Sequence, residues 1–509
     1  SGGGSDIDTT SGNGVSATTS GTFQVSGSGN TIDTGSGKSL NETNTDTAAA
    51  GITFDHITGN GANAGILLNN TGANNALTVT GIGGTCTNAD SSGCSGGSIL
   101  NTTGADDAGT TPVGTAVVLK DTKGVSLTRM RLANNSNYGI RGNTVAGLTL
   151  ANFVINGTNG TSAVTANKDS AARFNELTGT VSITNTDMNG GYTSNLLVNN
   201  TAGTLNSTLT GFNSGTIDAT GGDDAVQFEG LGTAAVNLNM SGSTITTATG
   251  DLLQYDGDGT GGGALTLTGN TLTNNEPSIA VGGGGVAITG GATGPATLDI
   301  QNNTLRDSLT NAITLIKSRD NSGGSGNFSG TINNNQIGVA GTPNSGSAEG
   351  DGMEITNEGH GNMTLSITNN VIRQYNSSGM QFVAGGGIAD TGQFNLNISG
   401  NTIGNPGNNP SITLLQGIRI DSGVTSGDTF ATCANFGANA ITGSSDAANK
   451  DFRLVVNQNT SIRLPGYAGA ATDGTAVAAF VAGKIGGGAQ GTAVANAPGT
   501  FTGTGATCP

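Results

Sequence analysis

Tryptophan is absent from the 509 residues, histidine occurs twice, tyrosine five times and proline nine times. Charged residues make up only 10%, where a typical soluble domain has roughly 25%. Each shortage excludes something. A β-propeller built on W-D signatures is out, and a stacked-aromatic platform for tight sugar binding along the chain is disfavoured. Collagen is excluded by the few prolines and the lack of a strict G-X-Y period. Basic residues number 17 against 34 acidic ones, a net charge of −17. No phosphate-tracking surface fits that balance, so a nucleic-acid partner is not expected. An anionic membrane surface is equally unattractive. No apolar run reaches the roughly 18 residues of a membrane span, so membrane insertion is not expected either. A signal peptide is not visible. The opening Ser1-Gly2-Gly3-Gly4, without Met, is read as a processed or trimmed piece of a longer product.

Cysteine is scarce but even in number: Cys86, Cys94, Cys433 and Cys508. Four cysteines allow three pairings. The close pair within TCTNADSSGC fits an 86–94 disulfide, which leaves 433–508; four free buried thiols are the alternative. Disulfides imply an oxidising compartment. No C-x-x-C occurs, which argues against a zinc site.

Glycine is abundant, at 90 residues, and hydrophobic residues still reach 33%. They are spaced rather than clustered, which argues against disorder. One phrase recurs: LTLTGNTL at 265–272, LDIQNNTL at 298–305, LSITNNVI at 365–372 and LNISGNTI at 396–403. Its last apolar residue can be taken as an anchor. The anchors read Ile57, Leu132, Ile155, Met188, Ile217, Ile245, Leu272, Leu305, Ile337, Ile372, Ile403 and Ile441. Five residues before each stands another large apolar side chain, from Ile52 to Phe436. The mean spacing from Leu132 onward is about 31 residues, inside the window of solenoid repeats.

Within each phrase apolar residues alternate, as in a half-buried strand. Thr, Val and Ile dominate, and so much Gly is incompatible with stacked helices. A leucine-rich repeat lacks its L-x-x-L-x-L phrase. The expected fold is therefore all-β: a single-stranded, right-handed parallel β-helix of about 14 coils, right-handed because parallel crossovers almost always are. At about 4.8 Å per coil it would form a rod of roughly 65–70 Å.

Two residues before six successive anchors stand Asn270, Asn303, Asn335, Asn370, Asn401 and Asn439. An amide carries donors and an acceptor, so stacked coils would make these a self-satisfying ladder. A turn-forming role for each Asn is compatible with that.

These G-N-T-[IL] turns, Gly269-Asn270-Thr271-Leu272 and Gly400-Asn401-Thr402-Ile403, resemble those of bacterial surface proteins with right-handed parallel β-helix repeats, the passengers of autotransporters and adhesins. The resemblance spans roughly residues 20–465. It implies the fold, and it leaves the activity open, because β-helices host adhesins, lyases, hydrolases and tailspikes alike.

The expected layout is a Gly/Ser/Thr-rich segment and first loose coil over 1–50, the β-helix over 51–449, and a last strand with a C-terminal cap over 450–509. The cap should hold one helix, opening near Asp473 and stopping at Gly486. The long interval from Ile57 to Leu132 reads as insertions, the cysteine loop and the stretch 101–114.

Short words in the sequence also suggest two enzyme readings. The short words Asn185-Thr186-Asp187, Asp223-Asp224 and Gly359-His360-Gly361, with Arg419, resemble the motifs of polygalacturonase-like hydrolases. Asp223 and His360 are four coils apart by the repeat, roughly 19 Å at about 4.8 Å per coil, too far for shared chemistry. A pectate-lyase-like reading needs a calcium cluster with a base, and the candidate ligands are Asp251, Asp256 and Asp258. The terminal Glu of an EF-hand phrase is missing. No cofactor is expected beyond that calcium. The preferred expectation is a non-catalytic, secreted or surface-displayed bacterial protein: a stalk, adhesin segment or fibre subunit. Its partners would be further copies joined end to end, or a cell-surface or glycan ligand held by loops. A phage tailspike-like receptor binder, expected as a trimer, is the third class.

Overall fold

Alternating side chains and positive-φ corners decide how this chain winds. The computed structural model describes residues 4–164, 168–218, 220–274, 283–318, 324–387, 389–409, 411–412, 416–442, 451–503, 505 and 507–508. Most coils have three short strands, although in Thr115–Thr128, Ile140–Ala151 and Ser170–Thr184 the first two run on as one long strand; every strand pairing described is parallel, as in Val286–Gly290 on Ile313–Lys317, Ala296–Gln301 on Phe328–Asn333, and Thr304–Arg306 on Gln336–Ile337. The fold is a parallel β-helix. It divides into two compact units, one of residues 1–229 and 236–250, the other of 230–235 and 251–509.

In the second unit the anchors stack as the repeat implies. Leu272 faces Leu305, which faces Ile337, followed by Ile372, Ile403 and Ile441. The first five of these are at most 1% exposed, and burying such a side chain is worth roughly 1.5–3 kcal/mol. The corner before each third strand needs a left-handed residue. Gly269, Asn302, Asn334, Asn369 and Gly400 fill it, with φ of 66°, 58°, 54°, 57° and 71°. Only Gly and, less readily, Asn adopt that conformation cheaply, which is why the phrase spells G-N or N-N.

The first unit follows the same plan with different spellings. Its third-strand column contains Ile7, Ile32 and Ile57 in register, so the ladders run through the segment 6–50. The interval from Ile57 to Leu132 holds a complete extra coil, Ala64–Asn69, Leu77–Val79 and Gly97–Leu100, with Ile99 facing Leu132. One anchor is corrected: Ser214, not Ile217, sits between Met188 and Ile245. Phe212 is buried at the preceding corner, where the phrase would place an Asn, and this shifted the apparent spacing by three residues.

A glycine at or just before the start of the first strand of several coils admits the anchor of that coil. A Cβ on Gly65, Gly352, Gly379 or Gly417 would stand 2.2, 2.4, 2.3 or 2.4 Å from Cγ2 of Ile99, Ile372, Ile403 or Ile441. Hence the recurring Gly-Ile or Gly-Met at strand starts.

The expected boundary at 450 falls in 443–450, outside the described residues. Beyond it the helix Gly474–Ile485 is capped by Asp473, whose side chain accepts from the Ala476 N–H, and ends at Gly486 with φ 85°. Val477, Val481 and Ile485 are its buried residues. Two further strands follow, Gly491–Ala495 and Thr500–Thr502, paired with Phe452–Val456 and Ser461–Arg463. The cysteines are joined as 86–94 and 433–508.

Candidate functional site

The six asparagines form one column, all at most 5% exposed. From Asn303 onward each Oδ1 accepts twice from the preceding Asn, as Asn370 does from the backbone N–H and the Nδ2 of Asn335, at 3.0 and 2.9 Å. Each Nδ2 from Asn303 onward also donates to a second-strand carbonyl, as Asn370 does to Ile332 at 2.9 Å. Asn439 ends the column by giving its N–H to the carbonyl of Ile485, in the last turn of the helix, at 3.1 Å. The ladder is thus structural, with its terminal donor satisfied by the cap.

A buried group of chemically capable side chains lies in the first unit. Tyr138 precedes the strand Ile140–Ala151 and Asp169 precedes Ser170–Thr184. Arg141 and Arg173, on those two strands, are register partners. Exposure is 0% for Tyr138 and Asp169, 3% for Arg141 and 9% for Arg173. The Arg141 guanidinium carbon sits 5.8 Å from the centroid of the Tyr138 ring. Burial and then the Arg173 charge bring Arg141 down to about 10, opposed by Tyr138. Burial and the Asp169 charge push the Tyr138 phenol up to about 12. Burial raises the Asp169 carboxyl, against hydrogen bonds from the N–H groups of Thr161 and Ser162. Sequence reasoning missed this group. The available signal was a pair of arginines 32 positions apart, one coil, in a chain with only 17 basic residues.

Two sets of acids bear on a metal. Among the described residues, Asp6, Asp8 and Asp33 bring ligand atoms within 4.8 Å of one another. Asp33 also meets His56 Nε2 at 3.0 Å. Asp251, Asp256 and Asp258 do not form such a group. Asp251 Oδ1 accepts from the Gly284 N–H, Asp256 from the Thr289 hydroxyl and the Gln254 amide, and Asp258 Oδ1 from the Ala292 N–H. These carboxylates tie one coil to the next, loop to loop at Asp251 and Asp258 and strand to strand at Asp256.

The polygalacturonase-like words are also placed in local roles. Asn185 is a left-handed corner with φ 46° and Thr186 is buried. Asp187 accepts from Asn213 Nδ2 and the Asn88 N–H. Asp223 pairs with Lys168 at 3.4 Å, His360 Nδ1 lies 2.9 Å from the Thr391 hydroxyl, and Arg419 pairs with Asp421 at 2.5 Å.

A groove of about 530 Å³ crosses the outer face of the second strands in the second unit. Ser329, Thr331, Thr364, Ser366, Asn395 and Asn397 are among its lining residues, with Thr507 and Cys508 of the tail. These side chains carry hydroxyls and amides and no charge.

No protein-family model matches the chain, and neither the curated proteins nor the solved structures contain a match.

Proposed function

We propose that this chain is a non-catalytic extracellular structural and adhesive protein: a bacterial stalk, adhesin segment or fibre subunit, secreted or displayed at the surface. The observation that carries the reading is the asparagine column. Six buried amides are committed to coil-to-coil cohesion and end on a helix carbonyl, an arrangement that serves stiffness rather than chemistry. Two disulfides support an oxidising, extracellular setting. The uncharged groove suits weak contact with a neutral glycan. Among the described residues, the strand Asp6–Thr9 has a ladder neighbour on one side only, and a second copy adding there would extend a fibre.

The test has two parts. The purified chain is screened for cleavage of pectin, polygalacturonate and other acidic glycans, with and without calcium, and imaged by electron microscopy at rising concentration. The reading expects no turnover and particles that lengthen by whole multiples. Turnover of any glycan, or monodisperse short particles at all concentrations, overturns the corresponding half. One observation favours an enzyme instead: a tyrosine, two arginines and an aspartate gathered on adjacent coils. Its burial beneath loops speaks against access by a polymer.

A further inference from the structure

Coils of a β-helix touch only their nearest neighbours, so opening at one coil need not be felt two coils away. One segment of the first unit departs from that rule. Between the strands Leu77–Val79 and Gly97–Leu100 the chain leaves its coil as the loop 80–96, closed by the Cys86–Cys94 disulfide. The loop is bonded to or packed on the third strands of the next three coils, Met130–Asn135, Val154–Asn159 and Asp187–Met188.

Arg131, Val154 and Asp187 form one column of those strands. Their neighbours Leu132, Ile155 and Met188 point into the core at 0% exposure, so this column points outward. Val154 is nevertheless fully buried, because Cys86 and Cys94 pack with it in one apolar cluster. The disulfide therefore sits on the middle coil of the three, and the loop is held to the coils on either side. Toward the first, Arg129 Nε donates to the Gly84 carbonyl at 3.0 Å, and Cys86 Sγ lies 3.5 Å from the Met130 carbonyl oxygen. Toward the third, Asn156 Nδ2 donates to Asn88 Oδ1 at 2.9 Å, and the Asn88 N–H donates to an Asp187 carboxylate oxygen. Asn88 and Asp187 are 99 positions apart in the chain. The base of the loop is fixed as well: Ser95 Oγ receives the Ile82 N–H at 3.1 Å and donates to the Gly83 carbonyl at 2.6 Å, and the Gly96 N–H donates to the Arg129 carbonyl at 2.8 Å.

We propose that the disulfide-closed loop 80–96 is a strap, which couples its own coil and the three that follow into one opening unit, with Asp187 as the latch at its far end. Parting of the Asp187 coil then breaks the Asn88 bond together with the ladder, and the disulfide, seated on Val154, keeps Asn88 from following the departing strand. The use of such a strap rests on the stalk reading above, in which coils that part singly are a weakness.

Native-state amide exchange of the full chain tests the coupling. The probes are the N–H groups at positions 187 and 189, which donate across the coil boundary to the Phe153 and Ile155 carbonyls. The control is the Gln336 N–H in the second unit, which donates to the Asn303 carbonyl. In Cys86→Ala/Cys94→Ala both probes should exchange about tenfold faster, the protection that one hydrogen bond supplies, and Gln336 should be unchanged. Asp187→Ala keeps both disulfides and removes the latch, along with a bond from Asn213 Nδ2. It should accelerate position 189 and the Asn88 N–H. Asn213→Ala removes only the second of those bonds and should leave the Asn88 N–H at its wild-type rate. Wild-type exchange at position 189 in Asp187→Ala, or in a folded cysteine double variant, overturns the strap; Asp187→Ala carries the test alone if the double variant does not fold. Equal acceleration of Gln336 reports general loosening and overturns it too. None of these readouts depends on glycan turnover or on particle length, so the strap and the stalk reading fail separately.

Discussion

Replacing Asn370 by alanine isolates what the amide column contributes. The change deletes four hydrogen bonds: two received by Oδ1 from Asn335, and two given by Nδ2 to Ile332 and Asn401. It leaves the backbone N–H of Asn335 buried without its acceptor. The Asn370 backbone bond to Asn401 Oδ1 survives, so the corner itself need not unwind. At about 1 kcal/mol net per bond, the loss is about 4 kcal/mol, and the orphaned N–H adds to it. The assay is urea unfolding followed by a probe in the second unit, with amide exchange at Asn335 as the local readout. A repeat array need not unfold in one step, so exchange is the stricter measure. The expected result is an Asn335 amide that exchanges at least a hundredfold faster, corresponding to roughly 2.7 kcal/mol or more. A companion variant, Asn369→Gly, should be nearly neutral, because Gly already fills that left-handed corner at positions 269 and 400. A loss of less than about 1 kcal/mol in Asn370→Ala would show that the column is a bystander of corner geometry and would refute the reasoning.

Three other outcomes are expected. Gly379→Ala should destabilise by about 2 kcal/mol or more, because its Cβ would stand 2.3 Å from Ile403 Cγ2 and 2.6 Å from the Gly417 carbonyl oxygen; a wild-type unfolding midpoint would contradict the packing rule. Glu42 is a buried acid between Ala17 and Leu68, hydrogen-bonded to the Thr47 hydroxyl, and burial raises it from 4.5 to about 7. The folded form then binds the proton more tightly, so stability should be full below about pH 4.5 and fall as pH rises to about 7. Glu42→Gln should remove that slope; an unchanged slope in the variant would assign it to other groups. Cys508→Ser opens a cross-link spanning 75 residues, for which chain entropy gives about 4.5 kcal/mol as an upper figure. Limited proteolysis should then cut the tail beyond Arg463 first, and an unaltered digestion pattern would contradict its role as a clamp.

How legible was the molecule in its letters? The anchors and asparagines of the second unit were readable because an identical neighbour is what each needs. A buried amide is satisfied by another amide one coil away, and the anchor column of the second unit takes only Leu or Ile, from Leu272 to Ile441. The helix was readable from Asp473 and Gly486, since a side-chain cap and a positive-φ stop are local features. Ile99 was not, because the cysteine loop lengthens its coil and hides the spacing. Ser214 was missed because a small polar residue at an anchor carries no hydrophobic signal, while Ile217 nearby carries one. The glycines against the anchors looked like turn residues, although their reason is a close side-chain approach. Arg141 and Arg173 give no such signal, because one pair of charged residues a coil apart makes no periodic pattern of apolar or amide side chains. Asp251, Asp256 and Asp258 suggested a metal by composition, and instead they receive hydrogen bonds from the next coil's loop and strand.

The account rests on successive coils stacking in register, and methyl NOE spectroscopy of Ile- and Leu-labelled protein tests that most directly. It should give an unbroken chain of cross-peaks from Leu272 to Leu305, Ile337, Ile372, Ile403 and Ile441, each residue linked to its neighbours in that order. Cross-peaks that skip a member of the series, or none between consecutive members, would contradict the stacked-coil fold and every column drawn from it.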